Sequence, residues 1–366
     1  MIELLMHPAI QAVLKIAVIV LGFVLMLGTV LTLMERKWMS AVQDRIGPNR
    51  ANLGRFTGHG ALHMAADGLK SIFKEDTIPA NADRLIFTIA PFFSFFAAVL
   101  VWAIIPFAAP IGDFKFQITD VNIGILLVFA VTSLGVYGAV LAGWSSNNKF
   151  AMLGATRATA QMLSYEIFLG LSLVGLFMIH GSVTVSTLVA SQNTYWFGDL
   201  IPKWGVITQP VAFVIFFTAM LAEMKRLPFD APEGESEIIA GYFLEYSGMR
   251  WSAFMLAEYV AIVGTAGLTV TLFFGGYHIP WLHADGFHLF GGHLPLPFWI
   301  VTVLQILSFV VKVVFFCWLV IILRWTVPRF RFDQVMELGW KKLLPVALAN
   351  MLVTALVLLA IDNWPA

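Results

Sequence analysis

Between Leu221 and Glu237 the sequence reads LAEMKRLPFDAPEGESE, which sets Glu223, Asp230, Glu233, Glu235 and Glu237 in one short stretch beside apolar runs. Carboxylates so placed suit charge or proton handling, because burial pushes a carboxyl toward its neutral form and allows proton exchange near neutral pH. Glu166 and Glu258 fall inside apolar runs, where an ionisable group is costly and is a functional candidate by default. Counted from the inner ends of their runs at about 1.5 Å per residue, both lie about 10 Å deep, and with Glu223, at the inner end of its own run, they are expected to converge. Nearby Arg226 opposes neutralisation. The alternative is helix–helix glue, each carboxylate paired to an Arg or Tyr. Lys312, midway along another run, is expected to meet a carboxylate or line water, whereas Lys15 lies close enough to the surface to snorkel.

The elements that carry these groups are membrane helices. Hydrophobic residues make up 59% of the 366, charged residues only 12%, and mean hydropathy is +0.85, values foreign to a soluble domain of this length. We expect one all-α integral membrane domain over residues 1–366, with eight spans near 9–34, 84–107, 121–144, 159–180, 209–224, 252–274, 299–323 and 342–361. Arg36, Lys37, Arg45, Arg157, Arg226, Arg250, Arg324 and Arg329 fall in loops on one side and only Lys115 and Lys203 on the other. That asymmetry puts both termini outside. The segment before the first span holds Glu3 and His7 but no Lys, Arg or cleavage site, so the span reads as a permanent anchor.

Two inner loops carry more than connectors need. In 35–83, Leu62, Ala65, Ala66, Leu69, Ile72 and Phe73 recur at helical spacing and predict an amphipathic surface helix, an interfacial anchor or an entry for a lipid-soluble substrate. In 225–250, Pro228, Pro232 and Gly234 predict a broken turn that becomes helical near Glu235; it would be either mobile or rigid. The outer loop holds His278, His283, His288 and His293 without compact ligand spacing, so a solvated loop and no metal are expected. The single cysteine, Cys317, supplies neither a disulfide nor an iron–sulfur cluster, so any redox centre belongs to a partner. Zero net charge speaks against nucleic acid as a ligand.

Three blocks, QDRIGPNR at 43–50, AQMLSYE at 160–166 and AEMKRLPFD at 222–230 continuing to EYSGMR at 245–250, resemble the H-type subunits of bacterial NADH-quinone oxidoreductase. Those are the quinone-site membrane subunits of respiratory complex I, and the resemblance runs from the first span to the last. It implies a respiratory-chain translocase component of the bacterial inner membrane, not catalytic alone and without a redox centre. It would wall the tunnel taken by a quinone, expected to be ubiquinone, with Glu35, Arg36, Arg45, Asp67 and Lys70 near that tunnel. Tyr165, Glu166, Glu223, Asp230, Glu233, Glu235, Glu237 and Glu258 would couple quinone reduction to proton translocation, and Arg226 and Lys312, singled out by their charge and position, are expected on the same path. The implied partners are hydrophilic iron–sulfur and quinone-head-binding subunits with the flavin and clusters, and small and antiporter-like membrane subunits. The sequence departs from the family at Ala51–Gly60, which is longer than usual, and at His63 and Met64. An energy-converting hydrogenase anchor, a stand-alone cation/proton transporter and a purely structural anchor are the rival readings. The transporter is disfavoured because the strongest motif lies in a loop, not at paired midplane breaks.

Overall fold

The computed structural model describes residues 8–52, 54, 58–112, 114–196, 201–289 and 292–362, with the side chains of 8, 9, 235, 236, 289 and 362 outside that description. Glu3 and His7, and part of the long 51–60 connection, lie outside the described residues. Helices α1 (Ile10–Val42), α3 (Arg84–Ala103), α4 (Gly124–Ser145), α5 (Lys149–His180), α7 (Gly248–Phe273), α8 (Phe298–Thr326) and α9 (Phe332–Ile361) are long and apolar enough to cross a membrane. The predicted amphipathic helix is α2 (Leu62–Phe73), and the fifth expected span is α6 (Pro210–Glu223), only 14 residues.

At 1.5 Å per residue α6 reaches about 21 Å, less than the roughly 30 Å hydrocarbon thickness. It packs one face against α5, α7 and α9, burying Ala212, Ile215, Phe216 and Ala219 through Ala222, so its C-terminal end meets protein while Val211 and Val214 stay exposed on the other face.

Several helices outrun their apolar cores. α1 continues past Glu35 and Arg36 to Val42, α5 starts at Lys149 and not near 159, and α9 starts at Phe332 and not near 342. Charged residues end the part of a helix that suits lipid without ending the helix. Asn148 caps α5, its Oδ1 accepting from the Phe150 amide, and Gly181 closes it in the left-handed conformation that glycine adopts without penalty. The extension from Ala151 to Ala158 packs its small residues on the inner loop. A Cβ on Gly154 would fall 2.6 Å from the Cα of Gly241, so the two backbones cross in near contact.

α3 packs on α4 and α7, α5 on α4, α6 and α9, and α1 on α7 and α8. Trp102, Phe107, Phe309 and Phe23 form one aromatic knot in the core, and Phe87 stacks on Tyr246 at 3.9 Å to fix the inner loop on α3. α2 lies along the inner ends of α1 and α7, with Leu69, Ile72 and Phe73 facing outward. Its exposed apolar stripe is the face expected of a surface helix.

The connections at the opposite end, those expected outside, are more ordered than a solvated loop. β1 (Tyr195–Trp196) pairs with β2 (Ile201–Pro202), and between α7 and α8 an antiparallel sheet β3–β4–β5 (Leu282–His283, Gly286–Leu289, Gly292–Pro295) replaces the expected irregular loop. Buried Gln192 sews this end together, its amide nitrogen donating to the Thr271 carbonyl and its oxygen accepting from the Gly205 and Gly275 amides.

Candidate functional site

Arg226, one turn beyond α6, is the centre of the end of the bundle expected to face inward. Its guanidinium is buried and pairs with Glu35 of α1 at 2.8 Å and, on its other side, with Glu258 of α7, while lying over the Tyr259 ring at 4.5 Å. Glu35 is shared: its second oxygen takes Arg324 of α8 at 2.6 Å. Two acids and two bases from α1, α7, α8 and the inner loop thus form one chain of ion pairs. Burial works against the Arg226 charge, but Glu258 and then Glu35 hold the guanidinium above its ordinary value.

Glu258 also faces inward, onto a cavity of about 90 Å³ between α3, α4, α5, α6 and α7. Glu223, Lys225 and Tyr242 line the same space, with apolar walls from Ala97, Val101 and Leu268. Lys225 donates to the Tyr242 hydroxyl at 2.8 Å. The buried Oε2 of Glu223 and Oε1 of Glu233 have no hydrogen-bonding partner among the described residues. Burial, then the Glu258 and Asp230 charges, holds Glu233 well above the ordinary carboxylate range. Burial and then Glu233 and Glu258 hold the Tyr242 phenol above its own. Across α5, Glu166 accepts from Ser133 of α4 and lies close enough to Glu223 for the charges to interact.

The acids therefore divide. Glu35, Glu258, Asp230 and Glu237 are ion-paired, the last two with Arg329 at 2.5 Å and Arg157 at 2.6 Å. Glu166, Glu223 and Glu233 form no ion pair among the described residues. The Glu235 side chain lies outside the described residues. Ion pairing between helices and the inner loops accounts for the first group and leaves the second open.

Three sequence expectations change. Glu166 stands at the middle of a 32-residue helix, not a short way from its start, because α5 begins ten residues early. Tyr165 is fully buried on the other side of α5, its hydroxyl donating to the Val335 carbonyl at 2.8 Å, away from the cavity. Lys312 meets no carboxylate among the described residues; its ammonium is held by the carbonyls of Phe274 at 2.9 Å, Gly276 at 3.0 Å and His278 at 2.6 Å, above the Trp204 ring. Phe274 caps α7 and Gly276 and His278 follow in the turn beyond it, so the lysine satisfies the carbonyls of that turn at the negative end of the helix dipole.

Of the remaining expected residues, Arg36 pairs with Asp67 at 2.7 Å and Asp67 with Lys70 at 3.4 Å, which ties α2 to α1. Arg45 is exposed and donates to Gln43. Sequence reasoning missed Arg324, Arg329 and Arg157, counted only as orienting charges, and Gln161. The buried amide of Gln161 donates to the carbonyls of Ala222 and Phe229, fixing both ends of the turn that presents Arg226. The near balance of acids and bases at one end of the bundle was the signal for the arginines.

A family model for NADH dehydrogenase matches residues 14–355. The chain is 42% identical to an H-type subunit of NADH-quinone oxidoreductase from Cytophaga hutchinsonii, over 90% of this chain and 91% of that one. It is 43% identical to the H-type subunit of Thermomicrobium roseum, over 92% and 94%, and 42% identical to subunit 8 of the Rhodothermus marinus enzyme, over 93% and 95%. The apolar helices and the similarity along nearly the whole length agree: the chain belongs to the NADH dehydrogenase family, as an H-type membrane subunit of NADH-quinone oxidoreductase, respiratory complex I.

Proposed function

We propose that this chain walls the membrane part of the quinone path and converts quinone reduction into proton movement through its inner ion-pair chain. The observation that carries the reading is that Arg226 binds Glu35 and Glu258 at once, because it joins residues expected at the tunnel to residues expected on the coupling path. Quinone takes up two electrons and two protons to become quinol, so charge near its head changes with each turnover. A more negative head side draws Arg226 toward Glu35. Glu258 then loses part of its counter-charge in a low-dielectric site and gains affinity for a proton. The cavity that Glu258 shares with Glu223 is large enough for a few waters to relay that proton. Glu166, Glu233, Asp230, Glu235 and Glu237 would carry the change onward as linked titrations.

The wider assignment follows from the same reading. Quinone, as substrate, meets apolar walls from α1, α2 and α7. Flavin and iron–sulfur clusters belong to hydrophilic partners at the inner end, and proton-pumping subunits lie alongside in the membrane. Both termini face outward from a bacterial inner membrane, with α6 counted as the eighth crossing.

The test is turnover in assembled complex carrying Glu166→Gln with Glu223→Gln. Quinone reduction coupled to pumping should fall by at least about 10²-fold while subunit content is unchanged. Full pumping in that assembled double variant would end the proposal.

A further inference from the structure

The sheet between α7 and α8 lies at the end of the bundle opposite the acids and takes no part in the coupling scheme. Its register sets His288 of β4 opposite His293 of β5, and the turn from β3 to β4 carries Asp285. Residues directly opposite on antiparallel strands have Cβ atoms about 5 Å apart on one face, so two imidazoles converge although several positions separate them in sequence. That is why linear spacing concealed the group. His288 Nε2 lies 3.1 Å from Asp285 Oδ1, and His293 Nε2 lies 3.3 Å from Asp285 Oδ2. All three ligand atoms fall within 4.8 Å of one another, the only such trio of His, Cys, Asp or Glu among the described residues. The His283 ring is 4.8 Å from that of His288, supplying a neighbouring third imidazole.

The turn is built for this presentation. Gly286 has φ of +139°, and a Cβ there would strike the carbonyl of Leu294, so only glycine lets β5 pass this close behind Asp285. The Leu296 amide donates to the Asp285 carbonyl at 3.1 Å and fixes its backbone.

We propose that Asp285, His288 and His293 bind a divalent transition-metal ion of the zinc class, with water or His283 in the fourth position. Zinc holds imidazole nitrogen and carboxylate oxygen at about 2.0–2.2 Å, which sets ligand atoms about 3.3–3.5 Å apart around a tetrahedron. Oδ2 of Asp285 lies 3.2 Å from His288 Nε2 and 3.3 Å from His293 Nε2, close to that range, and the trio, which spans up to 4.8 Å, has to contract around the ion to complete it. Two nitrogens and one carboxylate suit zinc, nickel or copper, whereas magnesium and calcium take oxygen sets. The ion would replace the hydrogen bonds between Asp285 and the two histidines and pin β4 to β5. This site is independent of the coupling scheme.

Assembled complex, stripped with a chelator, is titrated with Zn²⁺ at neutral pH and its retained zinc counted by elemental mass spectrometry. Wild type should hold one more zinc per chain than a His288→Gln/His293→Gln variant. Because that variant can itself disturb the sheet, diethyl pyrocarbonate labelling of wild type gives a second readout: Zn²⁺ should protect His288 and His293, and Mg²⁺ should not. A one-zinc difference with zinc-specific protection supports the site. Labelling at both histidines that zinc leaves unchanged overturns it, whatever the counts.

Discussion

Arg226 holds two buried carboxylates, Glu35, which Arg324 also pairs, and Glu258, for which Arg226 is the one ion-pair partner among the described residues. Taking one partner from a buried ion pair typically costs about 3–5 kcal/mol, mostly because the other charge is left without compensation. Arg226→Met should therefore destabilise the assembled complex by about that much, while Glu35 keeps Arg324 and Glu258 loses its principal cation. Adding Glu258→Gln removes the stranded charge, so the double variant should regain more than half of the lost stability and none of the coupled turnover. Thermal unfolding and quinone-dependent pumping on the same samples separate the two effects. A single variant that loses no more than about 0.5 kcal/mol, the range of an ordinary surface change, would show that the pairing contributes little.

The helices were legible from hydropathy because each apolar run must hide its backbone polar groups, and lipid leaves a helix as the simplest way to do so. Their ends were not. The N-terminal extension of α5 lies beyond its apolar core, and its reason is tertiary: Gly154 and Gly241 allow the helix to rest on the inner loop, which presents Tyr242 to the cavity. Gly154→Val should push the loop away, at about 1–3 kcal/mol for the overpacking. In assembled complex the 225–250 segment should then be cut faster by protease, and turnover should fall with it. Equal cleavage rates in variant and wild type would show that the close crossing does not hold the loop. The sheet between α7 and α8 was hidden for a related reason, since its short strands gain stability from pairing and from Gly286, not from an apolar alternation.

Two buried cations are satisfied in opposite ways: Arg226 is answered by the side chains of Glu35 and Glu258, and Lys312 by backbone carbonyls. The acids were readable one by one in the sequence, but Glu35 and Arg226 are 191 positions apart and nothing local announces their pairing. Lys312 was misread because depth along its own helix says nothing of where α7 stops. α7 ends beside it, and the three carbonyls at that end replace the water an ammonium loses on burial. Next to it, burial and then the Lys312 charge push His278 down to about 4, so that ring is neutral at physiological pH. A lysine serving as a clamp and one serving as a proton carrier then fail differently when replaced. Lys312→Met keeps the length of the side chain but leaves the carbonyls without their donor, and each hydrogen bond to a charged group contributes about 1.5–3 kcal/mol. The clamp predicts a lowered thermal midpoint with protons pumped per electron unchanged in the complex that does assemble. A carrier predicts the reverse, intact stability and lost pumping, and that result would return Lys312 to the coupling path.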